Sequence, residues 1–206
     1  MSLAPAPHVA PLELWRIARA FITTLFNLFG APGEIAAGEF VTPKTHALIR
    51  TWLRAGEAFL RRLLLIEATA FTPNNLNATL GRRKSRRVRK LCTFTADKPE
   101  QWRVSFRCFV SPKLAHQEPR RKVERKGEPT RFYSAWPLAE RAEALLRAFN
   151  NPAPYAQRLA NQLYQRPHRA RLLLAYPSDA PNYVGDEAFS ESQPLAEAAV
   201  RRIDPG

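Results

Sequence analysis

The central third of this 206-residue chain carries almost all of its net charge. Residues 72–131 hold 17 Lys/Arg against 5 Asp/Glu, a balance of +12 within the +14 of the whole chain. Residues 1–71 and 132–206 balance at +2 and 0. Because like charges repel one another, the central third is a poor source of a core and is typical of a surface that meets a polyanion. The two ends must therefore supply most of the fold.

Most cationic residues of the central third fall into three groups, namely residues 82–90, the pair Arg103 and Arg107, and residues 120–126. In residues 82–90, seven of nine side chains are cationic and none is acidic. Neutralising phosphates requires clustered cations, and arginine adds bidentate geometry and stacking on bases. The residues that we predict to bind nucleic acid are Arg82, Arg83, Lys84, Arg86, Arg87, Arg89, Lys90, Arg103, Arg107, Arg120, Arg121, Lys122, Arg125 and Lys126.

Two long apolar helices are predicted in residues 1–71. Pro11 suits the first position of a helix that runs to about Phe29, and Gly30 ends it. The pair Thr42-Pro43 is a second start signal, for a helix that runs to about residue 71. Helical spacing gives this second helix an inner face of Leu48, Trp52, Ala55, Phe59, Leu63, Ile66 and Ala70, opposite Arg50, Arg54, Glu57 and Arg61. Two such helices predict an antiparallel helical hairpin.

Residues 88–110 are predicted to form a small basic β-hairpin. Residues 91–95 and 101–110 are rich in aromatic and β-branched side chains and are separated by a turn. The second stretch alternates with period two, so one face is apolar and the other displays Arg103 and Arg107. Residues 130–135 are a candidate third strand.

The last third returns to helical patterns. Residues 137–149 and 155–165 each have one apolar face, and a proline-rich break separates them. Residues 169–176 fit a helix or a strand, 179–191 a loop, and 194–203 a short terminal helix. The helical pair also allows a helix-turn-helix interpretation, although zero net charge favours plain packing. In that alternative the second helix contacts base edges through one face, which we call the reading face: Gln157, Arg158, Asn161, Gln162 and Gln165.

The sequence therefore predicts a mainly α fold, with an α+β fold as the minor alternative. Residues 1–71 form the N-terminal helical hairpin, 72–131 the basic loop and β-hairpin segment, and 132–206 the C-terminal helical region. We expect the three parts to combine into one globular domain, since 206 residues suit one sizeable core.

Two short segments resemble known proteins. Residues 59–68 (FLRRLLLIEA) and 155–160 (YAQRLA) are similar to segments of alphaproteobacterial proteins of about this length that have no known function. The resemblance implies a bacterial cytosolic setting. It implies no activity, fold or site residue.

Catalytic and metal-binding motifs are missing from the sequence. It has no nucleophile elbow, no phosphate-cradling glycine loop and no His-Glu-x-x-His pattern. The four histidines are scattered, and Cys92 and Cys108 form no metal-ligand spacing, so no metal or other cofactor is implied. Glu67, on the flank of the second helix, is a candidate general base, but we favour an outward or locally paired side chain.

These observations favour a non-enzymatic nucleic-acid-binding protein, with DNA and RNA both open. Few cysteines and an N-terminus without a recognisable secretory signal favour a cytoplasmic location. One alternative is a peripheral protein of an anionic membrane surface, with the apolar helix in the headgroup layer. Another is a scaffold or adaptor for an acidic protein partner. The sequence leaves the oligomeric state open.

Overall fold

The computed structural model describes residues 9–71, 98–109, 132–175 and 182–205. This part of the chain contains six α-helices, two short 3₁₀-helices and one two-stranded antiparallel sheet, which confirms the predicted mainly α fold. The elements are α1 (Leu12–Phe29), α2 (Pro32–Ala37), β1 (Phe40–Val41), α3 (Pro43–Ala68), a 3₁₀-helix (Pro99–Gln101), β2 (Tyr133–Ser134), α4 (Trp136–Asn150), α5 (Ala153–Gln165), a second 3₁₀-helix (Pro167–Leu174) and α6 (Asn182–Ile203).

Helix α1 has the bounds that the sequence predicts. Pro11 precedes it, and Gly30 follows it with a φ of +86°, donating its N–H to the Phe26 carbonyl at 2.8 Å. This left-handed φ suits glycine, which has no side chain to clash. The apolar face of α1 is buried in the protein core through Leu14, Trp15, Ala18, Phe21, Ile22 and Leu25. In the described ranges, no helix is long and apolar enough to cross a membrane.

Helix α3 is the centre of the fold. Thr42 caps its start, because the threonine Oγ1 accepts the Thr45 N–H at 3.2 Å. Helices α1, α4, α5 and α6 all pack against α3, so most of its residues beyond Trp52 are buried. Leu48 and Ala70, which the periodicity places on the inner face, are exposed. Leu48 lies in the second turn of α3, and Ala70 lies beyond its end, because the helix stops at Ala68.

Gly56 allows the neighbouring helices to approach α3 closely. A Cβ atom at this position would lie 2.5 Å from the Phe21 ring in α1 and 3.2 Å from a Leu145 methyl group in α4. Contacts this short are repulsive, so glycine is required for the close packing of α1, α3 and α4.

The sheet differs from the predicted hairpin. β1 pairs with β2 in antiparallel register, Phe40 opposite Ser134 and Val41 opposite Tyr133. The candidate third strand is therefore present as β2, and its partner precedes α3. Of the predicted hairpin, residues 88–97 and 110 lie outside the described residues. Residues 103–107 belong to no helix or strand in the described part of the chain, but exposed side chains alternate with more buried ones along them, as in an extended chain.

The C-terminal helices are longer than their sequence signals. Helices α4 and α5 confirm the predicted pair, and the ambiguous stretch at 169–176 is largely 3₁₀-helical. The prediction of a loop at 179–191 is wrong for residues 182–191, because α6 begins at Asn182 and continues through Pro194, while residues 179–181 lie outside the described residues. A proline inside a helix removes one backbone hydrogen bond. Packing of α6 against α3, with Phe189, Ala196, Ala199 and Val200 buried, outweighs that loss.

Two charged residues of α3 are buried and tie other elements to the helix. The Glu67 carboxylate accepts the backbone N–H groups of Val9 and Ala10 at 3.1 and 3.3 Å, and Trp15 Nε1–H at 3.1 Å. The expectation that Glu67 points outward or pairs locally is therefore wrong. On the opposite flank, Arg62 donates to the carbonyls of Leu174 and Phe189 at 2.6 and 3.2 Å. These bonds satisfy polar groups that burial would otherwise leave unpaired.

Candidate anion-binding cleft

A cleft of about 480 Å³ lies between α3, α4 and the extended residues 103–107. Val104, Phe106, Pro137 and Ala144 supply its apolar lining. Its charged lining consists of six arginines and two glutamates, a formal charge of +4: Arg50, Arg54, Glu57 and Arg61 from α3, Arg103 and Arg107 from the extended segment, and Glu140 and Arg141 from α4.

The α3 wall of the cleft is the polar stripe of that helix. Arg50, Arg54, Glu57 and Arg61 recur at helical spacing, so they share the side of α3 that the apolar residues leave open. The sequence places these residues opposite the inner face but does not assign them to a site. The helical spacing of these residues is the only sequence signal that they share one side of α3. The sequence does not show that α4 and residues 103–107 pack beside this stripe and so form a cleft.

Glu57 links the two helical walls of the cleft. Its carboxylate accepts hydrogen bonds from the Arg61 guanidinium at 3.0 Å and from Arg141 Nε at 2.9 Å, and its side chain is 13% exposed. The first of these bonds is an i,i+4 pair on α3. One carboxylate cannot neutralise two guanidinium groups, so this cluster remains positively charged.

Residues 98–109, which include the first 3₁₀-helix and the extended residues 103–107, form one segment, and hydrogen bonds and aromatic packing attach it to α4. Arg147 of α4 donates to the carbonyls of Pro99 and Trp102 at 2.6 and 2.9 Å. The Trp102 ring is buried against Trp136, with a centroid separation of 4.8 Å. Burial of alternate side chains turns Arg103 and Arg107 outward, and both are exposed. The period-two pattern therefore predicts correctly that these two arginines point outward, although in the described part of the chain this segment pairs with no strand.

Arginines from three other elements also hold this segment. Arg61 Nε of α3 donates to the Arg107 carbonyl at 3.3 Å. Arg158 of α5 donates to Ser105 Oγ at 3.5 Å, and the Arg169 guanidinium lies 4.3 Å from the centre of the Phe109 ring. Among the described residues, no carboxylate forms an ion pair with Arg103 or Arg107. The charge of these two arginines is thus available at the edge of the cleft.

Most of the predicted nucleic-acid-binding residues fall outside the described chain. Arg103 and Arg107 lie on the cleft, whereas residues 82–90 and 120–126 are not among the described residues. The chain itself connects these parts, because residues 72–97 lead into Lys98 and residues 110–131 follow Phe109. Both cationic runs are therefore covalently continuous with the short segment that carries Arg103 and Arg107.

Cys108 lies in the same segment and is half-buried. Burial raises the pKa of its thiol to about 11, although the positive charges of Arg61 and Arg158 oppose this shift. A protonated thiol is a weak nucleophile and a weak metal ligand, so at neutral pH Cys108 acts as a packing residue. Cys92, the other cysteine of the chain, lies outside the described residues.

The helix-turn-helix alternative loses part of its reading face. Arg158 is engaged with Ser105 and lies 5.7 Å from the centre of the Tyr155 ring, and Asn161 is half-buried. Gln157, Gln162 and Gln165 are exposed on α5. The second helix of the pair is therefore partly occupied in holding the extended segment.

Comparisons with protein-family models, with curated proteins and with solved structures find no match for this chain.

The chemistry of the cleft indicates which class of ligand it suits. A guanidinium group presents its N–H donors in a planar fork that matches phosphate and carboxylate oxygens. Several such groups on three elements make this cleft a candidate site for an anion.

Proposed function

We propose that this protein is a non-enzymatic nucleic-acid-binding protein that contacts phosphates through the arginine-lined cleft and the basic central segment. One observation carries the proposal. Six arginines and only two glutamates line one cleft between three parts of the fold. The segment that carries Arg103 and Arg107 at the edge of this cleft is continuous in sequence with both cationic runs. Clustered guanidinium groups of this kind neutralise phosphates and release their counterions.

The amount of charge favours a polymer of phosphates over a single small anion. Residues 72–131 carry a balance of +12, and the described cleft adds arginines from α3 and α4. A small anion is held by a few donors, whereas a nucleic-acid backbone offers one charge at every nucleotide. A cytoplasmic location would give the protein access to nucleic acid and is part of this proposal.

Of the two rival partners, the membrane surface is the weaker, and the acidic protein is left to the binding assay. Binding at a membrane surface would need the apolar face of α1, which is already packed in the core. An acidic protein would offer carboxylates, which guanidinium groups also bind. Anionic vesicles and polyglutamate therefore belong in the binding assay as competitors, and displacement of nucleic acid by polyglutamate at equal charge would favour the adaptor.

The proposal predicts that Arg103 and Arg107 contribute to nucleic-acid affinity. The double substitution Arg103→Ala/Arg107→Ala should raise Kd roughly 10- to 100-fold at low salt and flatten the log–log salt slope by about 1.8 on duplex DNA. Fluorescence anisotropy of a labelled oligonucleotide, titrated at several salt concentrations, measures both quantities.

The matched control removes the same charge outside the cleft. Arg19→Ala/Arg202→Ala replaces two exposed arginines on α1 and α6 and should change Kd much less. Equal losses in the two double variants would mean that the cleft is not the site. Wild-type protein without measurable affinity for DNA or RNA at low salt would end the proposal altogether.

Glu57 provides a test in which stability and binding move in opposite directions. Glu57→Gln should lower the free energy of unfolding by about 1–3 kcal/mol, because glutamine loses the negative charge and keeps only one oxygen acceptor, so one hydrogen bond is lost and the other is weakened. The same substitution makes the cleft more positive and should tighten nucleic-acid binding. Urea denaturation and anisotropy check the two effects, with the exposed Glu13→Gln as the charge-matched control. Weaker binding by Glu57→Gln would contradict an anion in this cleft.

A further inference from the structure

Four aromatic side chains gather on the small sheet next to the cleft. The His46 ring stacks on the Tyr133 ring, with centroids 4.7 Å apart and planes inclined by 25°. Phe40 and Phe132 are exposed to 48% and 38%. Exposed apolar rings close to a charged cleft are candidates for contact with a ligand.

The α3 wall of the cleft leads to these rings. His46 lies one helical turn before Arg50 and two turns before Arg54, so the three side chains follow one stripe of α3. One turn advances the helix by about 5.4 Å, which places His46 just beyond the arginines. Its partner Tyr133 belongs to β2, directly before α4, and α4 supplies Pro137, Glu140 and Arg141 to the other wall. Both walls therefore lead to the sheet.

Register separates the rings over the two faces of the sheet. Val41 lies opposite Tyr133, so these two residues share the face on which His46 stacks. Phe40 lies opposite Ser134, and Phe132 is two residues before Ser134, so both phenylalanines belong to the other face. Phe132 also directly follows residues 110–131, which contain the cationic run at 120–126. The cationic run at 120–126 is therefore continuous in sequence with Phe132.

We infer that the cleft and the aromatic sheet together bind unpaired nucleic acid, a deepening that rests on the proposed function. In a duplex the bases stack on one another and are not available to a flat ring. In a single strand each base has an open face, and aromatic side chains stack on it while arginines contact the backbone phosphates. The arginines supply affinity for any nucleic acid, and the rings of Phe40 and Phe132 supply the preference for a single strand.

The test compares a labelled single-stranded oligonucleotide with the duplex of the same sequence. We expect the single strand to bind at least about 10-fold more tightly, since each stacked base contributes roughly that factor or more. Phe40→Ala/Phe132→Ala should remove most of this preference and leave the salt slope unchanged, because no phosphate contact is lost. Phe40→Tyr/Phe132→Tyr retains the aromatic faces and should restore the preference.

Leu28→Ala/Leu172→Ala, which removes two exposed apolar side chains from other elements, is the matched control and should bind like the wild type. Thermal unfolding of all variants confirms that each is folded. Equal affinity of the wild type for single strand and duplex would overturn this inference and leave the proposed function standing. Retention of the preference in the phenylalanine-to-alanine variant would also overturn it. Binding to neither form would remove the proposed function and this inference together.

Discussion

Neutralising the cations of residues 82–90 should flatten the salt dependence of nucleic-acid binding by several units. Each phosphate contact contributes a log–log slope of about −0.9 on duplex DNA and about −0.7 on a single strand, because condensed counterions are released. These contacts do not read bases, so all sequences should be weakened alike. The substitutions replace by glutamine Arg82, Arg83, Lys84, Arg86, Arg87, Arg89 and Lys90.

Binding constants measured across a series of salt concentrations give the slope for wild type and variant. Removing like charges reduces self-repulsion, so thermal unfolding should show equal or higher stability. An unchanged slope would exclude residues 82–90 from the contacts. The double substitution Gln157→Ala/Gln162→Ala tests the helix-turn-helix alternative, in which α5 contacts base edges. If this variant loses sequence preference but keeps the salt slope of the wild type, the helix-turn-helix is favoured.

The helices that the sequence predicts well are those with local start and stop signals. Thr42-Pro43 fixes the start of α3, and Gly30 fixes the end of α1, through bonds within a few residues. A cap and its helix are close together in the chain, so the information is present in a short window of sequence. The predicted bounds of α1, α4 and α5 consequently agree with the structure to within a few residues.

The features that the sequence did not predict depend on distant contacts. β1 and its pairing with β2 are not predicted, because each strand is two residues long and the two are more than 90 residues apart in the chain. Pro194 is a local stop signal, yet α6 continues through it because its buried face packs on α3. In both places tertiary packing outweighs local preference.

Of the residues that line the cleft, the sequence assigns only Arg103 and Arg107 to a binding surface. Arg103 and Arg107 stand out because a period-two pattern turns them to one side. The arginines of α3 look like an ordinary solvated stripe until α4 is packed beside them. Arginines that donate to backbone carbonyls, such as Arg62 and Arg147, have no local signal, since their acceptors lie far away in sequence.

Phe59→Ala should lower the free energy of unfolding by about 3–5 kcal/mol, because truncating a buried ring leaves a cavity that the surroundings fill only in part. Phe59 is 4% exposed in the middle of α3, and its ring centroid lies 5.7 Å from that of Phe189 in α6. Trp52→Ala should have a similar cost, since Trp52 packs against Phe21 and Phe29 of α1 at centroid distances of 5.6 and 6.0 Å.

Urea denaturation measures both losses, and Leu48→Ala is the control on the same helix. Leu48 is 52% exposed, so its truncation should change stability by less than about 0.5 kcal/mol. The contrast between Leu48 and Phe59 tests whether α3 is buried by its neighbours, as opposed to being merely apolar. Wild-type stability in both the Phe59 and Trp52 variants would mean that this face of α3 is not packed against α1 and α6. The apolar surface would then be free to contact a membrane, and the arrangement of helices that forms the cleft would be wrong.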